Sequence, residues 1–116
     1  MLLGHKPGIN SQSGVGRTPL HEALEREDSS PGKVIDIVRL LLNHGADTNI
    51  PDCRHSTPLH KASSCGWPEI VRLLLSYGAK VNEKDGQGRT PFRVASSEGH
   101  NEVMKILLEY GAVPQP

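Results

Sequence analysis

Three aliphatic blocks stand out in an otherwise polar chain: Ile37-Val38-Arg39-Leu40-Leu41-Leu42, Ile70-Val71-Arg72-Leu73-Leu74-Leu75 and Val103-Met104-Lys105-Ile106-Leu107-Leu108. Each is apolar over a wide arc of the helical period, which suits a helix sandwiched between layers better than one on an open surface. Ahead of each block lies a shorter segment with its own pattern: Thr18-Pro19-Leu20-His21-Glu22-Ala23, Thr57-Pro58-Leu59-His60-Lys61-Ala62 and Thr90-Pro91-Phe92-Arg93-Val94-Ala95. Thr followed by Pro predicts a helix start. The hydroxyl can accept from orphan backbone N–H groups, and the missing N–H of Pro costs nothing in the first turn. Each aliphatic block runs into Gly-Ala (Gly45-Ala46, Gly78-Ala79, Gly111-Ala112), where Gly fits a left-handed helix cap. Polar stretches with turn formers follow at Ile50–Ser56 and Glu83–Arg89 and predict turns reaching away from the helices.

The unit is therefore helix, turn, helix and an extended finger. Thr57 and Thr90 are 33 residues apart, whereas Thr18 and Thr57 are 39 apart. The six extra residues fall around Glu25-Arg26-Glu27-Asp28-Ser29-Ser30, ahead of Pro31-Gly32, and their acidic, polar character predicts a flexible loop between two helices. Ala23, Ala62 and Ala95 fall where a short first helix can approach its neighbours closely.

The Thr-Pro-Leu-His motif, the Gly-Ala motif and the 33-residue period together resemble the ankyrin repeat family over nearly the whole chain. That resemblance implies an all-α solenoid of helix-turn-helix pairs with β-hairpin finger loops. One array over 1–116 is expected: 1–17 as the tail of a preceding partial repeat and its hairpin, 18–56 as a repeat with the insertion, 57–89 as a second, and 90–116 as a C-terminal capping repeat. Counted back from Thr18, Met1–Asn10 falls in register with Leu73–Asn82, although Lys6-Pro7 departs from the Gly-Ala cap. The chain is read either as a fragment of a longer protein or as opening with a degenerate half-repeat. The third repeat carries Phe92 for Leu and Arg93 for His, as terminal repeats are atypical, and no hairpin entry follows Ala112. Three repeats lie near the lower limit for a stable stack, so modest stability and fraying at the N-terminal end are expected.

Composition narrows the function classes. Aromatics make up only 3% of the chain, too few for a conventional compact core or for base stacking, but sufficient for thin stacked layers of Leu, Val, Ile and Ala. Lys+Arg and Asp+Glu are 13 each, so no global charge drives the chain toward nucleic acid or an anionic membrane. No apolar run is long enough to span a bilayer, and the N-terminus has no signal-peptide pattern. Cys53 and Cys65 have no metal or redox spacing, and a reduced, intracellular setting, cytoplasmic or nuclear, is expected.

Candidate chemistry is sparse. The resemblance implies that His21 and His60 support the loops by hydrogen bonds. His5, His44, His55 and His100 are scattered without zinc spacing. Ser63-Ser64-Cys65-Gly66 is no nucleophile elbow, and Gly86-Gln87-Gly88 lacks the Lys-Ser/Thr of a phosphate loop. The acids Glu22, Glu25, Glu27 and Asp28 read as a solvated helix end and loop, and a reactive thiol at Cys53, beside Arg54 and His55, stays open. No catalytic residue, metal site or cofactor is expected, and the chain reads as a non-enzyme. Trp67 fits a binding anchor and a local packing lid equally well. The resemblance also marks Asn49 and Asn82 as positions that asparaginyl hydroxylases modify in some relatives, while the same Asn is favoured there for hydrogen bonding. Ser29 and Ser30, ahead of Pro31, are candidate phosphorylation sites.

The resemblance implies binding of a protein partner on a concave face of finger tips and first helices. Carried over, the tips are Gly14, Val15 and Arg17, then Cys53, Arg54 and Ser56, then Gly86, Gln87 and Arg89. Glu22, Lys61 and Val94 are expected as exposed first-helix positions, with Ser64, Cys65, Ser97 and Glu98 at the helix ends and Trp67 close by. Arg17, Arg54, Lys61 and Arg89 along this face predict a partner segment with acidic residues opposite repeats two and three. The function expected is an interaction module, an adaptor or scaffold that is monomeric by itself. The alternative is the regulatory or targeting part of a larger enzyme, channel or ubiquitin-ligase component.

Overall fold

The computed structural model describes residues 10, 12–24 and 31–114. The readings placed on residues 1–9, on the insertion 25–30 with Ser29 and Ser30, and on 115–116 lie outside these residues. Among the described residues six helices follow one another: α1 (Pro19–Leu24), α2 (Pro31–Asn43), α3 (Pro58–Cys65), α4 (Pro68–Ser76), α5 (Pro91–Ser97) and α6 (Asn101–Glu109). Five of the six begin on Pro, whose fixed φ is already helical and whose missing N–H belongs to the first turn, where it would lack a partner anyway.

The caps follow the residues that predict them. The Thr57 hydroxyl accepts from the His60 N–H and the Thr90 hydroxyl from the Arg93 N–H. The second helices all stop in the same way. In α4 the Ala79 N–H reaches back to the Leu74 carbonyl and the Gly78 N–H to that of Leu75, both at 3.1 Å. Gly78 takes φ 94°, which a Cβ would make costly, and Gly45 and Gly111 stop α2 and α6 at 94° and 95°.

The helices pair as α1 with α2, α3 with α4 and α5 with α6. First helices then pack on first helices (α1 on α3, α3 on α5), and second on second (α2 on α4, α4 on α6). This is an all-α stack of two helical rows, each repeat touching only its neighbours. The core runs between the rows: Leu20, Leu59, Ile70, Leu74, Ile106 and Leu107 are each at most 1% exposed. Burying each such side chain stabilises by about 1.5–3 kcal/mol relative to leaving it in water. Ala23, Ala62 and Ala95 are buried at the first-helix packing seam, as their small size suggests.

Between one second helix and the next first helix the chain reaches out as a finger. No β-strand forms among the described residues. Each finger is a tight turn closed by two backbone hydrogen bonds, as Asp52 N–H to the Ser56 carbonyl and His55 N–H to the Asp52 carbonyl in the second, so the expected hairpins are reduced to their turns.

Candidate protein-binding groove

The second finger shows how five residues hold their shape. The Asp52 carboxylate accepts from the Arg54 N–H at 2.8 Å and the Ser56 N–H at 3.0 Å. The Asp52 N–H closes the finger on the Ser56 carbonyl at 2.9 Å. The third finger repeats this with Asp85, which accepts from the Gln87 and Arg89 N–H groups, both at 2.9 Å. In the first finger the Ser13 hydroxyl stands in for the carboxylate and accepts from Val15 and Arg17. These braces were not read from the sequence, although an Asp four residues ahead of the last finger residue is an ordinary turn signal.

Adjacent fingers are stitched together. The Cys53 N–H donates to the Val15 carbonyl at 3.0 Å, and the Gly86 N–H to the Arg54 carbonyl at 2.9 Å. This contact is close enough to exclude a side chain: a Cβ on Gly16, itself at φ 79°, would lie 2.6 Å from the Cys53 nitrogen. His55 also sits at positive φ, 60°, where the equivalent positions are Gly16 and Gly88.

Two buried histidines tie the fingers to the first helices. The His60 Nδ1 accepts from the Thr57 N–H at 3.2 Å and lies 2.9 Å from the Thr57 hydroxyl. That leaves Nε2 protonated, and it donates to the Arg89 carbonyl at 2.8 Å, in the next finger along. His21 does the same with Thr18 and, at 3.0 Å, with the Ser56 carbonyl. Burial pushes the His60 pKa below its usual value, against the Arg89 carbonyl and the Asp85 charge, which favour the charged form. Burial would also push the Asp85 carboxyl up, but the N–H groups of Arg89 and Gln87 and the Arg89 guanidinium, 3.0 Å away, outweigh it and hold it below its usual value. Asn10, Asn49 and Asn82 form a third set of ties. Each donates its amide to the carbonyl of a cap glycine (Gly45, Gly78, Gly111) and accepts from an N–H two residues further on.

Between fingers and first helices lies an open groove of about 780 Å³. Of the residues expected to bind a partner, Val15, Arg17, Cys53, Arg54, Ser56, Lys61, Gln87 and Arg89 line it, together with Asp52 and Asp85. Glu22 is exposed but lines a different depression with Ser13 and Ile37. Ser64 is half-buried, and its carbonyl accepts from His100 Nε2 at 2.9 Å. Ser97 is exposed at the end of α5. Trp67 is half-buried and packs against the core where α4 begins. Val94 corrects an expectation: it is only 6% exposed. Lys61, at the same register, is already half-buried, so the position lies close to its surroundings. A charged chain must extend out of it, whereas an apolar one gains by staying in.

The described residues hold no group of three or more His, Cys, Asp or Glu side chains suited to a metal ion. No helix among them is long and apolar enough to cross a membrane.

A family model of ankyrin repeats in three copies matches residues 1–85 and, in a second register, 29–116. The chain belongs to the ankyrin repeat family. Among similar proteins, fem-1 homolog A of Danio rerio is 35% identical over 68 residues, 53% of this chain and 11% of that protein. Two putative ankyrin repeat proteins of Fowlpox virus (strain NVSL) match as well. FPV222 is 48% identical over 40% of this chain and 5% of its own length, and FPV233 is 39% identical over 53% and 11%. The ankyrin chain thus spans about a tenth or less of the length of these curated relatives. Ankyrin repeats form a generic protein–protein interaction module, and the family match brings in no catalytic family.

Proposed function

We propose that this ankyrin chain binds a partner protein along the groove between its fingers and first helices, and that the bound segment is acidic opposite repeats two and three. The observation that carries the reading is the groove's composition: three successive repeats contribute Arg17, Arg54 and Arg89 from the fingers and Lys61 from α3 to its lining. Its two carboxylates, Asp52 and Asp85, accept from backbone N–H groups of their own fingers, and Asp85 also pairs with the Arg89 guanidinium at 3.0 Å. Backbone donors offset much of their charge, and the cationic side chains dominate the field a ligand meets. The role is binding and not catalysis, since the histidines best placed for proton transfer, His21 and His60, are spent on holding the frame. An intracellular setting, cytoplasm or nucleus, belongs to the same reading and is supported by Cys53, an exposed thiol outside any disulfide.

The test is selection from a displayed random-peptide library by the wild type and by an Arg54→Glu, Lys61→Glu double variant of unchanged helical signal. Enrichment of Asp and Glu by the wild type, lost in the variant and weakened by salt, supports the groove. Equal selection by both proteins overturns it. A second reading makes the same groove the regulatory or targeting part of a larger enzyme, channel or ubiquitin-ligase component. It is favoured by the much greater length of the relatives, and sequencing of the full transcript tests it.

A further inference from the structure

The charge along the groove is unevenly spread. The second finger and α3, the helix that follows it, each give the lining a cation, Arg54 and Lys61. Neither neighbour repeats this pair. At the register of Arg54 the other fingers carry Val15 and Gln87, and at the register of Lys61 the other first helices carry Glu22, which lines a different depression, and the buried Val94. Arg17 and Arg89 reach the same groove from the fingers on either side, so its cations gather about the middle of the row.

Four cations against two carboxylates leave this lining with a net charge of +2, counting His55 as neutral, in a chain whose total is zero. Arg17, Lys61 and Arg89 are half-buried, which lowers the screening between them and a bound anion. Arg89 is also held in place: Asp85 braces its guanidinium through Nε at 3.1 Å and Nη2 at 3.0 Å, so little ordering of that side chain is left for a ligand to impose. The Ser56 hydroxyl and the Gln87 amide add neutral donors to the same lining. A single carboxylate, with one charge and two oxygens, answers only part of this set. A phosphorylated side chain carries about −1.5 to −2 charge and three acceptor oxygens, and guanidinium forks match its geometry.

We infer that the partner segment carries a phosphorylated side chain and seats its phosphate between the second finger and α3, against Arg54 and Lys61. The inference rests on the binding role proposed for this groove and names the anion that the groove selects. It makes the interaction conditional, since a kinase acting on the partner would switch it on.

The test uses four pools of immobilised peptides with random flanks and a central phosphoserine, phosphotyrosine, glutamate or alanine, probed with the full chain at one ionic strength. The wild type should bind at least one phosphorylated pool about tenfold more tightly than the glutamate pool, and the glutamate pool more tightly than the alanine pool. Arg54→Gln with Lys61→Gln brings the lining to zero net charge and, at unchanged helical signal, should erase the phosphate preference. Arg39→Gln with Lys105→Gln removes the same charge from exposed positions outside the groove and should keep it. Equal binding of the phosphorylated and glutamate pools by the wild type overturns the inference and leaves an acidic segment as the ligand. Equal binding of all four pools overturns both. A preference that survives in the Arg54, Lys61 variant, or is lost in the Arg39, Lys105 variant, overturns the placement of the phosphate.

Discussion

Replacing His60 with Ala removes the tie between the third finger and the second repeat. The ring is 2% exposed and serves three groups: the Thr57 N–H, the Thr57 hydroxyl and the Arg89 carbonyl. Thr57 is buried, so its N–H would lose its partner away from water at a cost of about 1–3 kcal/mol. The Arg89 carbonyl lies nearer solvent and costs less, and the emptied volume adds about 1 kcal/mol. A total of about 3 kcal/mol follows, equivalent to roughly 10 °C in the melting temperature of a chain this size. Urea unfolding followed by circular dichroism measures it, and a loss below about 1 kcal/mol would refute the reasoning. The same residue sets a pH dependence. Its folded pKa lies below the ordinary 6.5, with burial as the main cause, so the unfolded chain takes up the proton first as pH falls. The stabilisation is complete above 6.5 and is lost as pH drops from there toward the folded value. Structurally, a proton on Nδ1 would face the Thr57 N–H, donor against donor. The urea midpoint should therefore fall between about pH 6.5 and pH 5, before most carboxylates titrate, and His60→Ala should flatten that part of the curve.

Other substitutions probe the frame. Ser63 is fully buried and its hydroxyl has no hydrogen-bond partner among the described residues, so Ser63→Ala should leave stability unchanged or raise it by up to about 1 kcal/mol in the same urea assay. Gly16→Ala would place a methyl against the Cys53 backbone at φ 79° and should cost about 2 kcal/mol, with amide exchange rising at Cys53 while the helical signal of the later repeats holds. His55→Gly relieves a positive φ that its counterparts Gly16 and Gly88 accept freely, and should raise the melting temperature by a few degrees, about 0.5–1 kcal/mol.

Local chemistry made most of the frame legible before any coordinates. Thr57 and Thr90 cap by hydrogen bonds within their own first turn, and Gly78 stops α4 by its own backbone freedom, so neither depends on distant residues. The groove could be placed because finger tips recur at a fixed offset from those caps. The errors came from treating equivalent positions as equivalent environments. Val94 shares a register with Glu22, yet Glu22 is exposed and Val94 buried. For Trp67 the sequence left a binding anchor and a packing lid open, and the side chain packs on the core; Ser64 is half-buried where its carbonyl meets His100. Asp52 and Asp85 were passed over because their work is done on backbone N–H groups, which sequence patterns show only faintly.

The most direct test of the account maps a library-selected acidic peptide onto the protein by backbone amide shifts in a labelled-protein titration. Binding in the groove predicts that the largest changes fall on Val15, Arg17, Cys53, Arg54, Ser56, Lys61, Gln87 and Arg89. Changes concentrated instead on Arg39, Arg72 and Tyr110, along the second helices, would place the partner elsewhere and contradict the central claim.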